Sequence, residues 1–140
     1  MSQLTPCEIK PLIKAAMDAR NYSYSPYSKF RVGAAVLTED GNIVTGANIE
    51  NASYGGTICA ERTAIVRCVM EGHRSFRAIA VASDQSEPVS PCGICRQFIR
   101  EFGRKIEVII VSGDESLTVR KTLDELLPMS FGPENLTKLK

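Results

Sequence analysis

Three cysteines and one glutamate, divided between Cys59-Ala60-Glu61 and Pro91-Cys92-Gly93-Ile94-Cys95, constrain this chain more than any other feature. A structural zinc site closes on four protein ligands, whereas a catalytic one keeps three and leaves the fourth position to water. Cys59, Cys92 and Cys95 supply three thiolates, and neither segment has a further cysteine or a histidine beside it. The two remaining cysteines, Cys7 and Cys68, lie in stretches that read as helix faces. The count favours an open zinc site with Glu61 as its acid/base.

Local sequence supports that reading. Thr57 precedes an apolar-periodic run and reads as a helix N-cap, which places Cys59 and Glu61 in the first turn. Ser90 gives the same signal for a second helix, with Pro91 at its first position and Cys92 and Cys95 on one face. Thiols at positive helix ends are biased toward the thiolate that binds metal. Three thiolates exceed the charge of Zn²⁺. Arg62 and Arg96 both stand where they could offset the excess by donating to sulfur, and Arg62, next to Glu61, is the better placed. A C-x-x-C alone also occurs in redox pairs and zinc knuckles. Its combination with C-x-E is sharper and resembles the layout of the zinc deaminases.

The 140 residues suit one domain, 1–140, with its own core. A net charge of +1, with both signs mixed along the chain, argues against a phosphate-backbone binder, so no nucleic-acid partner is expected. No apolar run approaches the length of a membrane span, and no secretory leader is visible at the N-terminus, so no membrane partner is expected. Five cysteines, three of them assigned to metal, fit a reducing compartment. The expectation is a soluble intracellular protein.

Periodicity predicts a helix from Thr5 to about Asn21 with a Thr-Pro-Cys-Glu capping box, where Pro11 either kinks the helix or marks its true start. The stretch Tyr22–Phe30, with its alternating hydroxyls, reads as a loop. Strands over Val32–Leu37 and Asn42–Ile49 are joined by the hairpin signal Glu39-Asp40-Gly41-Asn42. The polar stretch Asn48–Gly56 is placed to hydrogen-bond a small polar ligand. A helix from Ile58 to Glu71 carries Ile65, Val66, Val69 and Met70 inward and stops at Gly72. His73, the only histidine, reads as a surface residue at the helix end. Then follow a strand at Arg77–Ser83, a helix at Pro91–Phe102, a strand at Ile106–Val111, a short strand at Leu117–Val119 and a short helix at Thr122–Leu127. The tail leaves Phe131 as a bare aromatic. The alternation predicts a three-layer α/β/α domain, with its ligand site beyond strand ends at helix N-termini.

Phe30, Asn48-Ile49-Glu50-Asn51, Cys59-Ala60-Glu61-Arg62, Ser90-Pro91-Cys92-Gly93-Ile94-Cys95-Arg96-Gln97 and Glu125-Leu126-Leu127-Pro128 occur in order. Through them the chain, from about Tyr22 to Pro133, closely resembles the cytidine deaminases of the short, homotetrameric, three-cysteine type. The resemblance implies a mixed five-stranded sheet and one Zn²⁺ per chain on Cys59, Cys92 and Cys95, with Glu61 as proton shuttle and Arg62 supporting the thiolates. It implies that Asn48 and Glu50 hold the ribose hydroxyls, that Phe30 packs on the pyrimidine and that backbone near Ala60 meets the base. Tyr54 and Phe131 would reach a neighbouring subunit's site. The implied activity is hydrolytic deamination of the nucleosides cytidine and 2′-deoxycytidine in pyrimidine salvage, in the cytoplasm and, for so small a chain, also in the nucleus. A superfamily deaminase of another substrate would keep the zinc motifs but lack the Asn48/Glu50 pair and Phe131. A zinc-stabilised binding module would have no use for Glu61.

Overall fold

The computed structural model describes residues 3–137. Helix α1 spans Pro6–Ala19, strands β1 and β2 span Val32–Thr38 and Ile43–Ala47, and helix α2 spans Ala60–Met70. Strand β3 (Phe76–Ser83), helix α3 (Gly93–Arg100), strands β4 (Glu107–Val111) and β5 (Thr118–Thr122) follow, then short helices α4 (Leu123–Leu126) and α5 (Pro133–Thr137). The strands form one mixed sheet in the order β2-β1-β3-β4-β5. Only β3 and β4 run parallel; the other neighbours are antiparallel.

Both faces of this sheet are apolar, as strands covered on both sides require. Ala35, Leu37, Ala78, Ala80, Ala82, Ile109 and Val111 pack with Leu12 and Ala16 of α1. The alternate positions Ala34, Val36, Ile79, Val81, Val108 and Ile110 pack with Ala60, Ala64 and Ile65 of α2 and Ile99 of α3. The three-layer expectation holds. Helix α1 starts at Pro6 and runs through Pro11, so Pro11 is not its start. At its N-cap the Glu8 carboxylate accepts from the Thr5 N–H at 3.0 Å.

The hairpin forms as expected, with Gly41 at φ +93° in its turn. Strand β2 ends at Ala47, two residues earlier than expected, because Asn48 and Ile49 pair elsewhere. The Asn48 carbonyl accepts from Tyr24 N–H, and Ile49 bridges Ile58. Helix α2 lies so close to β2 that a Cβ on Gly46 would sit 2.3 Å from the Ala64 nitrogen. Its inward stripe is therefore small: Ala60, Ala64, Ile65 and Cys68 are buried. Val66 and Met70, expected inward, are 49% and 80% exposed, a correction that follows from this close approach. Gly72, at φ +93°, ends the helix region, and His73 N–H donates to the Cys68 carbonyl there.

Helices α2 and α3 each follow a strand that ends on one edge of the sheet. Ala47, the last residue of β2, pairs with Gly33, and Gly33 pairs with Ala82 near the end of β3. The connections carrying the cysteine segments therefore leave the same edge. Among the described residues no helix is long and apolar enough to cross a membrane.

Candidate active site

Each zinc segment starts its helix two residues later than sequence signals indicate. Cys59, not Thr57, is the N-cap of α2, in extended conformation with its carbonyl accepting from Thr63 N–H at 3.0 Å. Cys92, not Ser90, is the N-cap of α3, and its carbonyl accepts from Arg96 N–H at 2.9 Å. The Thr57 hydroxyl accepts instead from Asn51 N–H, closing the polar loop, and the Ile49–Ile58 bridge keeps the chain extended up to Cys59. Neither cysteine caps its own helix through its side chain. Both sulfurs thus stand at helix starts, where unpaired N–H groups favour negative charge.

The Sγ atoms of Cys59, Cys92 and Cys95 all lie within 4.8 Å of one another, with Cys59 and Cys92 3.9 Å apart. Tetrahedral coordination with Zn–S bonds of about 2.3 Å separates sulfurs by about 3.8 Å, so the three side chains fit Zn²⁺ as they stand. Arg62 Nη2 donates to Cys59 Sγ at 3.5 Å. Arg96 donates Nη1 to the Leu126 carbonyl at 2.8 Å and ties α3 to α4. Of the two arginines considered, Arg62 is the one that serves the sulfurs. The Cys59 thiol is pushed down to about 5, above all by a hydrogen bond from Cys95, with Arg62 and Cys92 adding to it. Cys95, which keeps the shared proton, moves up. Divalent zinc replaces such protons when it binds thiolates. Cys68, buried in the core, is raised to about 11 by burial and belongs to packing.

Glu61, the second residue of α2, is 5% exposed. Burial raises its carboxyl to about 7, and the nearby Cys59 sulfur adds to the rise. A carboxyl that exchanges its proton near neutrality is suited to acid/base work. Ala60, one residue before it, is fully buried.

Beside this centre the 22–32 loop is folded around two side chains of the polar stretch. Asn48, 8% exposed, accepts at Oδ1 from Val32 N–H (3.0 Å) and the Ser23 hydroxyl (2.5 Å), and donates Nδ2 to the Phe30 carbonyl (2.9 Å). Glu50 Oε1 accepts from the N–H groups of Tyr27 (3.0 Å) and Ser28 (3.2 Å), while Oε2 accepts from the Ser28 hydroxyl. These bonds, that from the Ser28 hydroxyl first, hold the Glu50 carboxyl below its usual range. Phe30 is half-buried. Tyr54 meets Tyr27 in a tilted pair, ring centroids 5.9 Å apart, yet is 75% exposed. Phe131 is 58% exposed, its carbonyl accepting from Gln97 at 2.9 Å. The tail beyond it is not bare: α5 is anchored by Arg100, whose 3%-exposed side chain pairs with Glu134 and donates Nε to the Ser130 hydroxyl at 2.7 Å.

Sequence reading missed Gly46, Arg100 and Ser28. A lone glycine inside a strand pattern was a visible signal of close backbone approach. Arg100 and Ser28 carried no signal short of the folded geometry.

The mixed sheet and the three-sulfur centre at two helix starts define a zinc-binding α/β/α domain. Residues 6–112 match the family profile described as the cytidine and deoxycytidylate deaminase zinc-binding region. The chain belongs to the cytidine deaminase family. It is 50% identical over 130 residues to a protein of Dictyostelium discoideum named "Probable cytidine deaminase", covering 92% of this chain and 87% of that one. It is 46% identical over 130 residues to the cytidine deaminase of Sporosarcina psychrophila, covering 93% and 96%. The crystal structure of cytidine deaminase from Burkholderia pseudomallei superposes with a TM-score of 0.84 at 42% identity, over 91% of this chain and all of that one.

Proposed function

We propose that this chain hydrolyses the exocyclic amine of cytidine and 2′-deoxycytidine, giving uridine and 2′-deoxyuridine plus ammonia. The observation that carries the reading is a buried carboxyl, Glu61, held one helical step from a three-sulfur centre. Zn²⁺ on Cys59, Cys92 and Cys95 would supply the Lewis acidity that brings the pKa of water to about 7. Glu61 takes a proton from the attacking water and delivers it to ring N3, which makes C4 electrophilic. It then moves the second proton to the amino nitrogen, and ammonia leaves. One water hydrogen thus ends on N3 and the other on the leaving nitrogen, so one carboxylate serves both transfers. Arg62, donating to Cys59, offsets the surplus charge of three thiolates.

For the substrate, Asn48 and Glu50 are assigned to the ribose hydroxyls, Phe30 to the pyrimidine face and backbone at Ala60 to the base. Tyr54 and Phe131 are assigned to a neighbouring subunit's site in a homotetramer. Their large exposed areas support that assignment. Residues 1–140 are read as one domain, acting in pyrimidine salvage in the cytoplasm. The test follows cytidine absorbance with zinc-loaded wild type and Glu61→Ala. The wild type is expected to form uridine, while the variant keeps its zinc and its fold and loses at least about 10²-fold in turnover. Comparable turnover by the variant would sink the role of Glu61. A folded, zinc-filled wild type inert toward cytidine would overturn the substrate, and the Asn48 and Glu50 assignments with it.

A further inference from the structure

Ser28 touches both halves of the substrate site without being one of its assigned residues. Its hydroxyl donates to Glu50 Oε2, and its own N–H donates to Oε1 at 3.2 Å. The same hydroxyl oxygen accepts from Phe30 N–H at 3.0 Å. One side chain therefore joins the carboxylate assigned to the sugar to the backbone of the aromatic assigned to the base. Between them Lys29 stands at φ +59°, a left-handed conformation that a non-glycine residue adopts at a cost. That turn is what brings Phe30 N–H back onto the Ser28 oxygen. A loop whose only task was to cover the core would not need the cost, since Ser28 and Lys29 are both exposed and bury nothing.

We infer that Ser28 is a positioning residue for nucleoside specificity, fixing the Glu50 carboxylate and the Phe30 backbone in one register so that sugar and base are read together. The inference rests on the assignment of Glu50 to the ribose hydroxyls. Glu50 has two oxygens and several possible rotamers. With Oε1 held by two backbone N–H groups and Oε2 by Ser28, its carboxylate plane is fixed, and a lone pair on Oε2 remains to accept from a sugar hydroxyl. Without the Ser28 hydroxyl the carboxylate keeps its charge and its bonds to Oε1 but regains rotation, and Phe30 N–H loses its acceptor. The loss falls on substrates that present hydroxyls to Glu50.

The test pairs two nucleosides with two variants. Wild type, Ser28→Ala and Ser28→Thr are assayed on cytidine and on 2′,3′-dideoxycytidine, whose sugar ring offers Glu50 no hydroxyl. Ser28→Ala is expected to raise the KM for cytidine about tenfold with kcat within about twofold, the pattern of lost ground-state and transition-state binding alike. Its kcat/KM on the dideoxynucleoside should stay within about threefold of wild type. Ser28→Thr, which keeps the hydroxyl, should restore cytidine KM. In a Glu50→Gln background, Ser28→Ala should add much less than it does alone, as expected of residues acting through one contact. If Ser28→Ala proves unfolded by circular dichroism, Ser28→Thr against Ser28→Val, alike in shape, makes the same comparison. Equal losses on both nucleosides, full activity on cytidine, or full additivity with Glu50→Gln would each overturn the role of Ser28 while leaving the deaminase reading intact. Wild type inert toward cytidine would overturn that reading and the role of Ser28 together.

Discussion

Arg62 is the cation of the three-sulfur centre. It follows Glu61, so the helix that buries the carboxyl also carries the cation that faces Cys59 Sγ at 3.5 Å. Among the described residues its buried Nε has no hydrogen-bond partner, and Nη2 is directed at sulfur. In the proposed reaction, replacing it would leave the surplus charge of three thiolates without the cation that donates to Cys59. Arg62→Ala should lower kcat or zinc affinity by about 10- to 100-fold, the range for groups that orient metal ligands. Steady-state kinetics and competition with a chromophoric chelator check it. Arg62→Lys should rescue little, since a lysine cannot reproduce the planar fork. At this scale the sequence was legible: ligand count, the Cys-Ala-Glu spacing and charge bookkeeping all led to the residues that the fold gathers. What it could not give was the environment of Glu61. Gly46 signals a close approach, but no local window says that the partner is α2, the helix carrying Glu61.

Up to α4 the elements were read correctly in kind and order, while the starts of the two helices that carry the cysteines were placed too early and α5 was not foreseen. Thr57 and Ser90 are good capping types, yet Thr57 is drawn into the polar loop by Asn51, and the chain stays extended until the cysteines. Tertiary pairing overrode a local signal. The C-terminal segment shows the same limit: nothing in Phe131-Gly132-Pro133-Glu134 announced that α3 would reach over to hold it. A Cβ on Gly132 would lie 2.3 Å from the Arg100 guanidinium carbon, so the segment passes directly over that group. Arg100's hydrogen bonds pull the Glu134 carboxyl down to about 2. A carboxyl depressed in the folded state contributes stability that is fully present above its unfolded pKa, about 4.3, and is lost as pH falls toward 2. Wild type should therefore exceed Glu134→Gln in urea stability by a constant margin above about pH 5.5, a margin that shrinks steadily as pH falls from there toward 2. A margin that stays constant down to pH 2 would mean the pair contributes no charge-dependent stability.

For the whole molecule, apolar and aromatic side chains remain outside after the sheet has been covered. Ile94, Met129 and Phe131 are 65%, 101% and 58% exposed, and Tyr54 is exposed as well. The homotetramer in the proposed function gives that surface a use, and complementation separates it from chance. Glu61→Ala chains should be inactive, and Phe131→Ala chains weak in their own right. Mixed by unfolding and refolding together, they should recover more activity than the sum of the two, because some sites then combine an intact Glu61 with a neighbour's intact Phe131. Activity equal to that sum would confine each site to one chain. Sedimentation velocity on the same samples gives the assembly state directly.

Cys59 and Cys92 occupy the positions where helices ordinarily place serine, threonine or aspartate. At such a position a hydroxyl or carboxylate is worth about 1 kcal/mol to its helix. The centre has therefore been built by surrendering stability at two helix starts at once. Serine, the mildest chemical change at either position, would return the missing cap while removing a ligand. A better helix cap and a lost ligand then lie along the same substitution, and the cap is far too small a gain to offset the metal.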